Sequence, residues 1–366
     1  MLRIIDRYVF KECALATLAV IAVLLFILLG NSFVRVLGNI AEGKLSADSL
    51  LPMLGVNMIN YLVILVPLGL YLGILLGMGR FYRDSEMAAM FAGGVGTLQL
   101  YRPLHYLAVV VALLSACLVF YLAPWAAARQ DELRHRAQYQ SPLAGLAPGQ
   151  FNESGVGQTL FFESLDPAAS VMRQVFLYNS KTEQPTAQLA RTGVQLHDPD
   201  GNSYLVFNEG ESYSGRPGRR DFRITEFSSY GLRVREKEVP AIKLRISALP
   251  ISKLWAHGRP EHLAELHWRF AIPVSCFVLA LLALPLSHTS PRKGRFAKLG
   301  TGILVYIVYS NLIGLGRAWL ERGIVPSWAG LWWIHFIFIA ALLLMLIQTE
   351  KRQLFSRHRT GRGRAA

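Results

Sequence analysis

The sequence predicts an α-helical membrane protein with six transmembrane helices, three before and three after an inserted all-β domain of the sandwich or jelly-roll type. Three observations carry this fold class. The 366 residues are 52% apolar and only 17% charged, which is unusual for a soluble domain. Six stretches of at least 18 residues contain no Asp, Glu, Lys or Arg. One polar stretch rich in turn residues separates the third from the fourth of them.

Each of the six charge-free stretches is long enough to cross a bilayer as a helix, because roughly 20 apolar residues span about 30 Å of hydrocarbon. Lipid offers exposed backbone amides no hydrogen-bond partner, and the stretches lack the alternation of barrel strands, so helices are the expected spanning form. The stretches are residues 13–34, 49–79, 103–128, 270–291, 299–316 and 323–349.

Lys and Arg in the short connections predict the orientation, because cytoplasmic loops are enriched in both. With the N-terminus in the cytoplasm, 16 of these residues fall on the cytoplasmic side and 4 on the other. Both termini are therefore predicted to be cytoplasmic. The polar stretch, residues 129–265, then lies outside the cytoplasm and holds 17 Lys and Arg against 16 Asp and Glu. The net charge of +14 thus belongs to the membrane part, which argues against nucleic acid as a partner.

The polar stretch predicts a β domain without disulfides, since Cys13, Cys117 and Cys276 all lie inside predicted spans. Short runs of aromatic and branched residues alternate with turn signals, as in a sandwich or jelly roll. The runs are residues 159–162, 171–178, 203–207, 222–227 and 232–234, and the turn signals include residues 208–210 and 228–231. The predicted domains are an N-terminal membrane half (1–128), the β domain with flanking helices (129–265), and a C-terminal membrane half with a basic tail (266–366).

The sequence contains no motif for catalysis, and no catalytic residue or metal site is predicted. A phosphate-binding G-x-x-x-x-G-K-[ST] loop and a G-x-S-x-G elbow are both missing from the chain. His262 and His267 superficially match a zinc motif, but a spacing of five residues puts the two rings on different helix faces. The short cytoplasmic loops leave no room for a nucleotide-binding domain, so any energy source lies on another chain and no cofactor is expected on this one.

The loop between the second and third spans is the first candidate site. Asp84 or Ser85 is expected to cap a short helix over about residues 84–95, with Glu86 in its first turn, where a negative charge suits the helix dipole. The apolar face of this helix carries Met87, Met90 and Phe91. Such a helix either docks into a groove of a soluble partner or lies on the lipid surface.

Two arginines form the second candidate site. Arg35 and Arg317 each follow a span at its outer end, where the topology rule disfavours positive charge. Guanidinium groups form bidentate bonds with phosphate, so the pair suits an anionic lipid head group, with simple snorkelling of the side chains as the alternative. Glycines 69, 73, 77 and 79 in the second span predict close helix packing without assigning any chemistry.

Several short motifs, in this order and spacing within a three-plus-three plan, resemble the lipopolysaccharide-export permease family of the LptF/LptG type over nearly the whole chain. Two of them, Asp221-Phe-Arg-Ile-Thr225 and Pro285-Leu-Ser287 followed by Pro291-Arg292 and Gly294-Arg295, are closer to the LptF branch than to the LptG branch. The others are Phe33-Val-Arg-Val-Leu-Gly38, Ser85-Glu86-Met87, Pro124-Trp125, Gln130-Asp-Glu132, Gly149-Gln-Phe151 and Leu266-His-Trp-Arg269.

The resemblance implies a permease subunit of an ABC transporter in the bacterial inner membrane that exports lipopolysaccharide. It implies an LptG-like paralogous permease and an LptB-like ATPase dimer, which binds the ATP, as partners. A periplasmic β domain would pass the lipid to LptC-like and LptA-like β-jelly-roll proteins. Glu86, within residues 84–90, would couple to the ATPase, and Arg35 and Arg317 would contact lipid phosphates. Arg317 stands where family members often have Lys, and His267 where Asn is common.

Two other functions stay open on the residues alone. A mechanotransmission permease would pass ATP-driven motion to a periplasmic module without carrying a lipid between its helices. A membrane scaffold would dock periplasmic proteins without transport. A secondary transporter is disfavoured, since the six spans contain no acidic residue for a proton relay.

Overall fold

The computed structural model describes residues 4–41, 45, 47–139, 148–154, 157–166, 171–180, 185–197, 203–215, 222–234, 242–288 and 299–362. The basic loop at residues 292–298 and the motif residue Asp221 lie outside this described part. The helices are α1 Ile4–Ala41, α2 Leu50–Arg83, α3 Glu86–Ala92, α4 Thr97–Cys117, α5 Ala123–Tyr139, α6 Ile251–His257, α7 Pro260–Ser287, α8 Leu299–Glu321 and α9 Trp332–Arg362. The strands are β1 Asn152–Ser154, β2 Gln158–Asp166, β3 Val171–Asn179, β4 Thr186–His197, β5 Ser203–Ser214 and β6 Arg223–Val234.

Five helical stretches of the described chain are long and apolar enough to cross a membrane. They are Ile4–Ala41, Ala47–Arg83, Thr97–Arg136, Pro260–Ser287 and Leu299–Glu321. The third joins α4 to α5 through a π-helical turn at Leu118–Leu122, so this span continues into the polar helix α5, which extends into the region where a flanking helix was predicted. The sixth predicted span corresponds to a shorter apolar stretch, Trp332–Gln348, at the start of α9.

The sixth span was predicted to begin at residue 323, and the helix instead begins at Trp332. Gly323 and Gly330 have positive φ angles of 70° and 48°, and Pro326 lies between them, so residues 323–331 form turns. A Cβ atom on Gly330 would lie 2.2 Å from Nδ1 of His267, which explains why this turn needs glycine. The sixth span was predicted nine residues too long because residues 323–331 carry no charge, although they form an apolar loop and not a helix.

The predicted close packing at the glycines of α2 is confirmed, and its partner is α1. Added Cβ atoms on Gly69 and Gly73 would lie 2.2 Å from Ile21 Cγ1 and 2.4 Å from Thr17 Cα, respectively. The two helix backbones therefore touch where only glycine fits. In the most apolar 18-residue segment of α2, 78% of the residues are buried within the chain, whereas in that of α1 only 11% are buried. Most of the apolar surface of α1 thus remains open.

The helical core is built around α7, which packs against α4, α6, α8 and α9. Its interior face combines small and large apolar side chains, including Ala280, Leu279 and Ala283, all fully buried. The helix continues through Pro273 and Pro285.

The predicted β domain is confirmed as an antiparallel sheet, but its jelly-roll order is wrong for the described strands. These six strands pair strictly in chain order, β1 to β6, which is a meander, whereas a jelly roll places non-consecutive strands side by side. The prediction also missed β4, which lies between two of the predicted runs.

The sheet is bent along one row of residues, and this bend explains why its sequence has the pattern of short runs and turn signals that is typical of a β sandwich. In each of the strands β2 to β6, one residue has no partner in the pairing register. These residues form a row across the five strands: Glu163, Gln174, Arg191, Glu209 and Ser228. Gln174 and Glu209 have left-handed φ angles of 50° and 53°, as expected where strands bend. Apolar residues from both sides of the row, such as Val175 and Phe207, share one core.

Two predicted turns are therefore interior parts of strands. Residues 208–210 lie within β5 and residues 228–231 lie within β6. Gly210 is required by contact and not by a turn, because a Cβ atom there would lie 2.2 Å from the carbonyl oxygen of Leu189. The turn-forming residues mark the bend of the sheet instead of separating two strands.

The chain divides into two compact units. The first comprises residues 1–34, 51–131 and 244–366, and the second comprises residues 35–50 and 132–243. Each is described below by itself.

Candidate functional site

The short helix α3 follows a tight turn at the end of α2, and its start differs from the prediction. Ser85 adopts a left-handed conformation with φ 59° and its side chain makes no capping hydrogen bond. Asp84 accepts a hydrogen bond of 2.7 Å from Nε of Arg83. The predicted capping by Ser85 is therefore wrong, and capping by Asp84 stays a prediction. The helix also spans only Glu86–Ala92 and ends before Gly93 and Gly94, so it is shorter than predicted.

Glu86 joins α3 to the ends of α1 and α2. The hydroxyl of Tyr8 donates a hydrogen bond of 2.9 Å to Oε2 of Glu86. Oε1 of the same carboxylate lies 3.6 Å from a terminal nitrogen of Arg80. Arg80 also donates a hydrogen bond of 3.1 Å to Tyr8 and pairs with Glu12. The half-buried Glu86 carboxylate therefore lies within a network that fixes α3 against both neighbouring helices.

The apolar side chains of α3 divide between the core and the surface. Met87 is 2% exposed and belongs to the helical core, so it is not available to a partner. Met90 is half-buried and Phe91 is exposed. An apolar groove of about 310 Å³ lies between α3 and the first turns of α1. It is lined by Ile4, Ile5, Tyr8, Glu86, Ala89 and Met90.

Arg317, near the C-terminal end of α8, is held by two carboxylates. Its Nε donates a hydrogen bond of 2.9 Å to Oε1 of Glu321, one turn later on the same helix. A terminal nitrogen lies 2.9 Å from Oε2 of Glu265 on α7. The guanidinium carbon also lies 5.3 Å from the ring centroid of Trp268. Because Glu321 is 40% exposed and Glu265 is only 2% exposed, the contact with Glu321 is the easier one to exchange for another anion.

The buried half of this network was missed by the sequence analysis. Glu265 accepts a hydrogen bond of 2.9 Å from Nε of Arg269, and the two side chains are 2% and 1% exposed. The terminal nitrogens of Arg269 donate to the carbonyl oxygens of Leu249 and Ser247, both at 2.9 Å. Each nitrogen of the buried Arg269 guanidinium thus donates a hydrogen bond to an acceptor. The i,i+4 spacing of Glu and Arg was the signal in the sequence.

A second polar network in the same unit joins residues that are far apart in the chain. Arg245 donates to both carboxylate oxygens of Asp131, through its backbone nitrogen at 3.0 Å and Nε at 2.7 Å. It also donates a hydrogen bond of 2.7 Å to Gln130. Asn57 links Gln130 to Ser32 through bonds of 3.2 Å and 2.8 Å. These contacts connect α1, α2 and α5 to the segment leading into α6.

Arg35 lies on the exposed side of α1, in the second unit, whereas Arg317 lies in the first. The joint role of the two arginines stays a prediction. The three histidines near the start of α7 do not form one cluster, since only two of them are in contact. The rings of His257 and His262 stack with centroids 5.0 Å apart, while His267 packs against Gly330. In the described ranges, no group of three or more His, Cys, Asp or Glu side chains is arranged to hold a metal ion.

The chain is similar to known lipopolysaccharide export permeases over most of its length. The family model described as lipopolysaccharide export system permease LptF/LptG matches residues 7–348. The lipopolysaccharide export system permease protein LptF of Escherichia coli K12 is 29% identical over 346 residues, which cover 93% of this chain and 94% of that protein. The protein of the same name from Shigella flexneri matches with the same identity and coverage.

Proposed function

Because this chain belongs to the LptF/LptG family of lipopolysaccharide export permeases, we propose that it is the LptF-type subunit of an ABC transporter that extracts lipopolysaccharide from the outer leaflet of the inner membrane. The observation that carries the proposal is the family match over residues 7–348, which includes both the apolar helices and the β domain. The chain is a permease subunit in this proposal, and a separate ATPase subunit binds and hydrolyses ATP.

The chemistry of the substrate explains this combination of elements. Burying an acyl chain stabilises it by about 0.8 kcal/mol per CH₂, so a lipid with several chains needs an apolar path when it leaves the membrane. Apolar helices offer the first part of such a path. The apolar face of the bent sheet, with Phe162 and Phe207 in its core and Phe227 and Leu232 at its margin, offers the second.

The proposed partners follow from surfaces that the chain leaves open. In the most apolar 18-residue segments of α1 and α8, only 11% and 22% of the residues are buried within the chain, which suits an interface with an LptG-like permease around a shared lipid cavity. The groove beside α3 suits an LptB-like ATPase dimer, with Glu86 and Met90 at the contact. The β domain would lie in the periplasm, with both termini in the cytoplasm, and would pass the lipid to LptC-like and LptA-like proteins.

We assign lipid-phosphate binding to Arg35 and Arg317. For Arg317, the buried Glu265 would keep the guanidinium oriented while a phosphate oxygen replaces the exposed Glu321. Two anions can share one guanidinium because it carries five N–H donors in a fixed plane. The ring of Trp268 covers one face of the group and restricts the approach of water.

Replacing Arg35 and Arg317 together by Glu is expected to weaken photo-crosslinking of lipopolysaccharide between the membrane helices by at least tenfold, because two charge-assisted contacts become repulsive. Glu321→Gln is the matched variant, and we expect it to change crosslinking in the opposite direction. It removes the exchangeable competitor of the phosphate, so crosslinking should increase. Crosslinking that is unchanged in the double variant would exclude these arginines from the lipid site. The amount of each variant in the membrane fraction serves as the control for folding.

A further inference from the structure

A groove distinct from the sites above opens at the end of α4 that bears Arg102. Its cavity volume is about 690 Å³, and its walls come from α4, α7 and α9 of the first unit. One wall is polar and aromatic, and the other is purely aliphatic. Neither the proposed export path nor the proposed ATPase contact uses this groove.

The polar wall carries a fixed positive charge at the start of the predicted third span. Arg102 is exposed and immediately precedes the charge-free stretch that begins at residue 103. One turn later, the hydroxyl oxygen of Tyr106 accepts a hydrogen bond from Arg102, and the exposed His105 is its neighbour in the chain. Asp6, which is buried at the start of α1, is the acidic group that acts on Arg102 electrostatically. It compensates part of the charge of Arg102, whose exposed side chain lines the groove and carries five N–H donors.

A second observation also points to a missing polar ligand. Tyr101 lines the same groove, and its hydroxyl oxygen is shielded from solvent and has no hydrogen-bond partner among the described residues. A buried hydroxyl without a partner is costly, particularly in a membrane. A head group that accepts hydrogen bonds from both Arg102 and Tyr101 would remove this cost.

The aliphatic wall would hold the chains of the same ligand. Leu281 on α7, together with Leu342 and Leu346 on α9, faces the polar wall across the groove. Leu342 and Leu346 lie within the apolar stretch Trp332–Gln348. The groove thus presents a positive, hydrogen-bonding end next to an apolar side, at the bilayer interface where tyrosines are also enriched. Basic pockets between helices on the cytoplasmic side are typical sites for anionic phospholipids.

We propose that this groove binds an anionic phospholipid of the cytoplasmic leaflet, with its phosphate at Arg102 and Tyr101 and its acyl chains along α7 and α9. The proposal relies on the predicted orientation of α4 and is independent of the export function. The ligand would differ in leaflet and in binding site from the lipid that is transported.

A photoactivatable phosphatidylglycerol tests the proposal with the full chain in bilayer nanodiscs, together with the subunits that co-purify with it. We expect the label on α4 near residues 98–106. Unlabelled phosphatidylglycerol should compete for labelling, whereas phosphatidylcholine and soluble glycerol phosphate should not. Arg102→Gln should reduce labelling about fivefold, the effect of losing one basic contact with an anionic lipid. Arg102→Lys should retain most of it.

Lys11→Gln is the matched control, because Lys11 is exposed on α1 near the same predicted membrane face and does not line the groove. Labelling of this variant should equal that of the unmodified chain. Equal labelling of Arg102→Gln, equal competition by phosphatidylcholine, or competition by glycerol phosphate would each overturn the proposal. A photoactivatable phosphatidylcholine probe should label all variants alike, which shows that they are folded.

Discussion

Glu86→Lys is expected to reduce lipopolysaccharide export to less than a tenth of the normal rate while the chain remains in the membrane. The half-buried carboxylate lies at the edge of the groove formed by α3 and α1, and it is the acidic group of the proposed contact with the ATPase. Reversing a charge at such a contact removes one ion pair and creates a repulsive one, and the loss of one partner alone typically costs 2–5 kcal/mol, or roughly 30-fold and more. Export by reconstituted complexes and the amount of chain in the membrane fraction measure the two parts of this prediction.

A second variant separates contact with the ATPase from the internal role of Glu86. Tyr8→Phe removes the 2.9 Å hydrogen bond to Glu86 but leaves the carboxylate in place. If Glu86 acts on the partner, this variant keeps most of its export. If Glu86 only holds α3 against α1, Tyr8→Phe loses a clear part of its export as well, and the contact of Glu86 with Arg80 preserves the remainder. Normal export by Glu86→Lys would refute the coupling role entirely.

Glu265→Ala is expected to destabilise the helical unit by about 3–5 kcal/mol, because it leaves the buried guanidinium of Arg269 without its counter-charge. Arg269 is 1% exposed, so water cannot replace the carboxylate. The two carbonyl groups that accept its other hydrogen bonds are neutral and do not balance the charge. The midpoint of thermal unfolding in detergent measures the effect.

Glu261→Ala is the control for this prediction. Glu261 lies one turn earlier on the same helix and pairs with Arg259 at 3.2 Å, but the two side chains are 44% and 64% exposed. Exposed pairs contribute about 1 kcal/mol or less, so this variant should unfold almost normally. Equal unfolding midpoints for Glu261→Ala and Glu265→Ala would show that the buried network does not stabilise α7.

The membrane helices could be predicted because the bilayer imposes a simple rule on length and charge. The rule failed at the start of α9, where residues 323–331 are free of charge but contain Gly323, Pro326 and Gly330, which form turns. The β domain could be predicted as a class but not as a topology. Turn-forming residues 208–210 mark the bend within a strand, and local sequence does not distinguish a bend from a chain reversal.

The candidate sites show the same division between local and distant information. Arg35 and Arg317 could be proposed as candidates because positive charge is rare at the outer ends of predicted spans. The carboxylates that hold Arg317 were overlooked, since Glu265 was assigned to the β domain and its spacing to Arg269 was not considered. The pairing of Asp131 with Arg245 joins residues 114 positions apart, and a single sequence offers no signal for it.

The central claim is that ATP, hydrolysed on another subunit, drives lipopolysaccharide from the membrane helices of this chain onto its bent sheet. A photoreactive phenylalanine analogue at position 227 tests it directly, since Phe227 is half-buried at the margin of the apolar core of the sheet and the analogue is close in shape. In reconstituted complexes, we predict lipopolysaccharide adducts at this position only when ATP and the ATPase subunit are both present. Adducts that form equally without ATP would contradict the claim. The absence of adducts under every condition would also contradict it and would favour a scaffold or a mechanotransmission permease.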